Sequence, residues 1–497
     1  MASTIGNRPN PIPWAAAALA FVLSGCVVGP NYHTPEAPTV TGYTPSDAPL
    51  TSASTESPGV AVQRLSLGAD VPGQWWTLFG SPALNALVAR ALSANPDLTS
   101  AQAALRAARE TYYAQRAAVW PTVDASYLVS RQETPSSLAS ILSSNADLFS
   151  LHTAQVTVSY TPDLFGLTRR QTEGALAQAQ AQQFQTEAVY LTLTSNVVVA
   201  AITQAGLQDQ ADATAELIAA DRKTLDQMRA QLAAGELSPA DIATQEAVVA
   251  QAEQLLPSLQ KQIAQQKDLL ADLTGQYPSQ AELEDLRLAQ FDLPIDLPLS
   301  LPSKLVEQRP DVQAADANLA AASAQLGVAI ASRLPNVALT ADAGGEATSL
   351  SRLLSNGDGF WALTGAVVQP VFDAGGLKHK QRAAEAALDQ AKAQYHSTVL
   401  SAFQNVADTL AALQADTSSL RSAAAATRAA QTSLALARGQ VAAGEVSVLA
   451  QLAAEQAYDQ AMVTQAQAQG ARLADTAALY QALGGGWWNR TETVAVR

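Results

Sequence analysis

The sequence predicts a mainly helical protein with a small membrane β part, organised as two tandem repeats. Three observations predict it: a long internal repeat, segments that alternate apolar with polar residues, and two long helical stretches without proline. Each repeat is expected to contain one strand pair and one long coiled-coil helical hairpin, which makes four strands per chain.

The internal repeat relates residues about 210 positions apart. At its start, Asn95, Pro96, Asp97, Leu98 and Pro121 return 214 residues later as Arg309, Pro310, Asp311, Val312 and Pro335. At its end, Ala233, Ala234, Gly235, Glu236 and Ser238 return 209 residues later as Ala442, Ala443, Gly444, Glu445 and Ser447. Solenoid repeats are far shorter, so the chain is predicted to be two copies of one large unit.

Five segments follow from this repeat and from local composition. We expect a signal peptide over residues 1–25, a lipidated tether rich in Pro, Ser, Thr and Gly over 26–72, the first repeat over 73–290, the second over 291–487 and a tail over 488–497.

The predicted signal peptide ends at Cys26, the only cysteine of the chain. The apolar stretch before it, from Trp14 to Leu23, is shorter than the roughly 20 residues that span a bilayer, and no other segment reaches that length. A disulfide within the chain is impossible. The setting of Cys26 resembles a bacterial lipobox, which implies a covalent lipid there, and Val27 in place of Asp favours the outer membrane. The alternative is a chance buried cysteine.

Strand pairs are predicted where apolar and polar residues alternate. In the first repeat the apolar positions are Val123, Ala125, Tyr127 and Val129, then Val156, Val158 and Tyr160. In the second they are Val337, Leu339, Ala341 and Ala343, followed by a weaker strand from Trp361 to Phe372. Polar loops over 134–151 and 344–359 are expected to lie in water.

Long helices surround these strands. A helix of about 23 residues starts after Pro96 or Pro310, and rods over 164–233 and 374–443 each span roughly 100 Å at about 1.5 Å per residue. The second rod has a strict seven-residue spacing at Val399, Val406, Leu413, Leu420, Thr427, Leu434 and Val441, and the first keeps it in pieces at Ile218, Leu225 and Leu232. This spacing predicts a coiled-coil seam.

Each rod is predicted to end at a glycine, Gly235 or Gly444, from which a second helix returns. The returning helix of the first repeat contains Pro257, which predicts a kink or a break because proline lacks the backbone donor.

Four strands cannot close a membrane barrel, so closure is expected to come from other subunits. Two chains would supply eight strands, whose interior is just filled by side chains, whereas three would supply twelve and leave room for a channel. A homotrimer is therefore favoured.

The order of several motifs resembles a known family. They are the lipobox followed by Val28, Gly29, Pro30, Asn31, Tyr32 and Pro35; Trp75, Trp76, Phe79 and Leu84 before Asn95 to Leu98; Asp163 to Gly166; Gln369, Pro370, Phe372, Asp373 and Gly375; and Leu483 to Trp487. This pattern resembles the outer-membrane factors of the TolC superfamily, efflux lipoproteins of the NodT or OprM kind.

The resemblance implies a TolC-like trimeric α/β barrel in the outer membrane, extending into the periplasm. Members are passive exit ducts of tripartite efflux systems, of the RND type for the lipoproteins, and carry small molecules. They contact a periplasmic adaptor, or membrane fusion protein, which connects them to an inner-membrane pump. A type I protein-secretion duct and a non-conducting periplasmic scaffold lipoprotein are the alternatives, and the alternating strands argue against the scaffold.

Two candidate sites follow from the resemblance. The adaptor-docking tips are Gly235, Leu237 and Ser238 in the first repeat and Gly444, Val446 and Ser447 in the second, although the glycines also read simply as helix caps. Where relatives often narrow the aperture with acids, this chain has Ala450 and Ala453. Asp241 is the leading aperture candidate and Glu455 the other, against the alternative of solvated helix faces.

Other functions lack a basis in the sequence. The formal net charge of −15 disfavours nucleic acid as a partner. The four histidines show no metal-ligand spacing, and Gly484 to Gly486 lacks the strand and lysine of a phosphate loop. With no nucleophile constellation, no enzyme activity and no cofactor beyond the lipid on Cys26 are expected.

Overall fold

The structure is a computed structural model that describes residues 27–40, 42–44, 63–135, 137–138, 141–142, 144–353 and 355–490. The predicted signal peptide, Cys26 and the last part of the predicted tail lie outside these residues. In chain order the strands are β1 (Arg64–Leu67), β2 (Thr122–Glu133), β3 (Leu148–Tyr160), β4 (Asp296–Leu299), β5 (Asn336–Ala347) and β6 (Gly359–Val368). The helices are α1 (Pro82–Ala94), α2 (Pro96–Ala117), α3 (Leu167–Ala233), α4 (Pro239–Leu273), α5 (Pro302–Gln308), α6 (Pro310–Ala331), α7 (Gly376–Ala442) and α8 (Val448–Ala482).

The tandem repeat and the mainly helical fold class are confirmed, and corresponding helices have equal lengths. α2 and α6 each have 22 residues, α3 and α7 each have 67, and α4 and α8 each have 35. Each long helix is followed by a returning helix, as the sequence predicts.

Some predicted boundaries are wrong. The strand expected over Trp361 to Phe372 stops at Val368, because Pro370 lacks a backbone donor for the ladder. Both predicted loops are shorter, since β3 already begins at Leu148 and β5 continues to Ala347. α4 continues as one helix through Pro257, so the expected break is not found there.

The chain forms two compact units. One consists of residues 1–35, 106–181 and 316–394 and contains a four-stranded antiparallel sheet in the order β2-β3-β5-β6. β3 pairs with β5, so the strand pair of the first repeat joins that of the second in one sheet.

The other unit consists of residues 36–105, 182–315 and 395–497 and holds a two-stranded parallel sheet, β1 with β4, together with the two hairpins. β1 falls within the predicted tether, which at this point is ordered and paired. Nearby, the buried Trp75 stacks on Tyr480 with ring centroids 5.3 Å apart. The segment after residue 62 is thus part of the folded core of this unit.

Apolar side chains hold each hairpin together. Leu225 and Met228 of α3 pack with Ile242 and Val249 of α4, and Leu434 and Ala437 of α7 pack with Ala454 of α8. The seven-residue row of α7 is buried from Val399 to Leu434, which confirms the predicted seam. Among the described helices, α3 is long and apolar enough to cross a bilayer by length and composition, but 56% of its apolar window is buried inside the protein, as in a core helix.

Candidate functional site

The four-stranded sheet has one continuous apolar face. Cross-strand register places Val123 of β2 opposite Val158 of β3, and Val158 opposite Ala341 of β5, which in turn lies opposite Leu363 of β6. The face is open: Val123 is 67%, Leu363 75% and Trp361 80% exposed. An apolar surface of this size on a sheet indicates contact with lipid.

The opposite face is polar over three of the four strands. Asp124 lies opposite Thr157, whose hydroxyl donates a 2.6 Å hydrogen bond to Asp342 of β5. β6 departs from this pattern, since Phe360 and Ala362 occupy the same face. The expectation of one apolar and one wet face therefore holds for β2, β3 and β5 and only weakly for β6.

The sheet has two open margins in the described part of the chain. β2 pairs only with β3, and β6 pairs only with β5. The outer backbone groups of these two strands have no ladder partner in the sheet. In hydrocarbon each unsatisfied group costs several kcal/mol, so the margins require strands from elsewhere.

The two hairpin turns, 233–238 and 442–447, have the same local geometry. Gly235 and Gly444 have φ values of 82° and 72°, in the left-handed region that favours glycine. In each turn the residue after the glycine donates back to the last helical turn, from Glu236 to Gln231 O and from Glu445 to Gln440 O, both at 2.9 Å. This pattern is a helix C-terminal cap, so that interpretation of the glycines is correct at the structural level.

The residues after the glycines differ between the two turns. Ser238 and Asp241 form a capping box at the start of α4, with Ser238 N donating to Asp241 Oδ2 at 2.9 Å. Ser447 makes no such side-chain bond at the start of α8. Leu237 is partly buried against the α3–α4 cluster, so it contributes to the hairpin itself.

Both aperture candidates are engaged within the chain. Hydrogen bonds from the Ser238 side chain and backbone lower the pKa of the exposed Asp241 carboxyl. Glu455 accepts a 2.8 Å bond from Arg438 Nη2 and forms an ion pair with it. The structure does not bring Asp241 and Glu455 together as a pair of interacting groups.

Sequence analysis did not single out Asp221 and Asp459, two acids of the helical unit. Asp221 is only 3% exposed and accepts a 3.0 Å bond from Gln456. Burial, with the negative charges of Glu455, Glu216 and Asp221 adding to it, raises the pKa of Asp459 to about 6. The signal in the sequence was weak, because each acid is an ordinary polar residue on its own helix.

The residues that follow Cys26 are held by a buried arginine. Arg170 Nε donates to Val28 O and Nη2 donates to Gly29 O, both at 3.2 Å, and Nη2 also donates to Asn31 Oδ1 at 2.9 Å. Tyr32 donates to Asp316 of α6. The motif from Val28 to Tyr32 therefore has a structural role in its unit.

No group of three or more metal-ligating side chains suited to an ion occurs among the residues that the structure describes. His152, on β3, forms a 2.8 Å hydrogen bond with Tyr127.

A sheet with a continuous lipid-facing surface, in a chain whose 67-residue helices turn back as hairpins, defines an outer-membrane protein of mixed β and helical construction. The chain belongs to the outer membrane efflux protein family, whose pattern matches residues 87–276 and 301–485. The two matched stretches coincide with the two repeats.

Relatives and solved structures agree with this membership. The chain is 30% identical over 479 residues, 96% of both chains, to the toluene efflux pump outer membrane protein TtgC of Pseudomonas putida. It is 27% identical over 471 residues, 94% of this chain and 97% of the relative, to the probable outer membrane lipoprotein SilC of Salmonella typhimurium. The structure of the outer-membrane channel OprN matches with a TM-score of 0.81 at 26% identity, covering 93% of this chain and all of that one. The protein is an outer-membrane channel component of an efflux system.

Proposed function

We propose that three copies of this chain form a passive exit duct that carries small molecules across the outer membrane within a tripartite, RND-type efflux pump. The observation that carries this proposal is the four-stranded sheet with one exposed apolar face and two unpaired margins. The duct performs no reaction, and the energy comes from the inner-membrane pump.

Strand number supports three copies. An eight-stranded barrel has an interior just filled by side chains, whereas a twelve-stranded one leaves an aqueous lumen. In such a barrel β2 of one chain pairs with β6 of the next, which removes both open margins.

The hairpin turns are the proposed docking points for the periplasmic adaptor. Gly235 and Gly444 are exposed, and a Cβ built on either glycine meets no atom within 4 Å, so a partner helix can approach the backbone closely. Photocrosslinking from position 444 in cells is expected to trap the adaptor, and an equivalent probe at the exposed Ala429 of α7 is the control. Equal yields from both positions would remove the assignment.

Asp241 is the proposed aperture acid, with Glu455 second. Because Asp241 also caps α4, the informative change is Asp241→Asn, which keeps hydrogen-bonding capacity and removes the charge. We expect reduced cation preference in single-channel recordings. Unchanged conductance and cation preference in this variant would end the assignment, and Glu455→Gln would then be tested in the same way.

Cys26 is the proposed site of the covalent lipid. The support is its lipobox-like setting and the similarity to a probable lipoprotein. Intact-mass measurement of the mature protein is expected to show an acylated N-terminal cysteine, which Cys26→Ser abolishes.

The decisive test of the duct is assembly together with conductance. Protein purified in detergent is expected to have the mass of a trimer and to produce discrete conductance steps in planar bilayers. A monomer without conductance would favour the scaffold alternative. Deleting the gene and screening growth against toxic compounds separates small-molecule efflux from protein secretion, since only the former predicts increased sensitivity.

A further inference from the structure

A cavity of about 110 Å³ lies in the unit formed by residues 36–105, 182–315 and 395–497. Its walls come from α1, from Gln204 of α3, from Leu270 of α4 and from the segment 282–286. Neither the family match nor the duct proposal assigns it a role.

The floor of the cavity carries a buried hydrogen-bond acceptor. Gln204 is fully buried, and its side-chain Nε2 donates to Glu284 O at 3.2 Å. A carbonyl oxygen only accepts, so this contact fixes which end of the amide faces Glu284. Gln204 Oε1 is buried and has no hydrogen-bond partner among the described residues. A buried acceptor of this kind is costly unless a donor reaches it.

The rest of the lining is mainly apolar. Leu270 and Leu286 are buried and Leu87 is half-buried, while Arg90 and Glu282 are exposed at the mouth. Water alone is a poor occupant of such walls, because a buried water needs two to four polar partners and Gln204 Oε1 is the one unpaired polar atom of the lining.

We propose that this cavity binds a small apolar molecule that carries one hydrogen-bond donor, of the phenol or short-chain alcohol class. The hydroxyl donates to Gln204 Oε1 and the apolar body packs against Leu87, Leu270 and Leu286. A cavity of about 150 Å³ holds benzene, so this one accommodates a shorter alcohol or a ring that projects through the mouth. The site is independent of the duct and does not require it.

Two matched probes test the requirement for a donor. The purified full-length protein is titrated with 4-fluorophenol, followed by fluorine NMR, and separately with 4-fluoroanisole, in which a methyl group replaces the hydroxyl proton. We expect saturable binding of the phenol and about tenfold weaker binding of the anisole, the size expected for one lost hydrogen bond. Equal binding of the two probes, or no saturable binding of the phenol, would overturn the proposal.

Two variants locate the site. Ala86→Trp blocks the mouth from an exposed position on α1, and Ala89→Trp is the control on an exposed position of the same helix outside the lining. We expect Ala86→Trp alone to abolish phenol binding. Gln204→Leu is expected to bring the affinity for 4-fluorophenol down to that for 4-fluoroanisole. Phenol binding that survives Ala86→Trp in a folded protein places the ligand elsewhere and refutes the assignment.

Discussion

Gly29 and Gly327 meet at their backbones: a Cβ on Gly29 would lie 2.6 Å from the Cα of Gly327. Gly29 also has a φ of 92°, where residues other than glycine are strained. The contact seats the segment that follows Cys26 on α6, beside the hydrogen bonds from Arg170.

Gly29→Ala is expected to detach this segment. Backbone strain and overlap together cost about 2 kcal/mol or more, so the amide of Val28, which donates to Phe165 O, loses protection from hydrogen exchange. The control is Gly439→Ala within α7, where the added Cβ meets no atom within 4 Å and alanine favours the helix. Unchanged protection at Val28 in Gly29→Ala would show that the contact has little effect on stability.

The first-turn cap of α4 gives a second prediction. Ser238→Ala removes both the side-chain acceptor and the partner of Asp241, and is expected to destabilise the start of α4 by about 1 kcal/mol. Ser447→Ala at the equivalent position is expected to have a smaller effect, since Ser447 makes no side-chain cap bond. Hydrogen exchange at the first turns of α4 and α8 measures both, and equal losses would contradict the difference between the two turns.

Stability is expected to depend on pH through Asp416 of α7 and Asp475 of α8. Burial, together with a hydrogen bond to Asp475 and its charge, raises the pKa of Asp416 from its ordinary value of 3.8 to about 7, and Arg472 opposes the shift. Arg421 of α7 adds a second positive charge near Arg472. The folded chain therefore keeps a proton that the unfolded chain has lost, so the free energy of unfolding falls as pH rises through this window.

Melting temperatures at pH 5 and pH 8 measure this effect. We expect Asp416→Asn to flatten the difference between the two temperatures and to raise the one at pH 8. Asp408→Asn, at an exposed position of the same helix, is the control and should follow the parent protein. A parent protein that is more stable at pH 8 than at pH 5, with Asp416→Asn showing the same trend, would contradict the prediction.

The sheet faces give the last prediction. Leu363→Arg places a charge on the apolar face and is expected to cost about 2–4 kcal/mol if that face contacts lipid. Thr364→Arg, one residue later on the opposite face, is expected to be tolerated. Heat-resistant folded protein in outer-membrane fractions gives the measurement, and similar yields of the two variants would argue against a lipid-facing surface.

The sequence predicted the regular parts of the fold well because periodicity reports them directly. The spacing from Val399 to Leu434 and the alternation from Val123 to Val129 each depend only on neighbouring residues. β1 and β4 were missed, since four-residue strands show little alternation and their partners are about 230 residues apart.

The site was less predictable for a similar reason. Arg170 is a single charged residue in a helical stretch, and its main partners are backbone carbonyls 141 and 142 residues away. Gln204 and Asp416 depend on which polar atoms the folded chain leaves without a partner, and side-chain identity alone does not report this.

The equal lengths of α3 and α7, and of α4 and α8, constrain how this chain can change over evolution. Inserting one residue in a helix turns every later side chain by about 100° and advances the end of the helix by about 1.5 Å. One such event would move the buried row of a hairpin onto its outer surface. The two halves are thus free to diverge by substitution, whereas insertions and deletions are tolerated only in the connections.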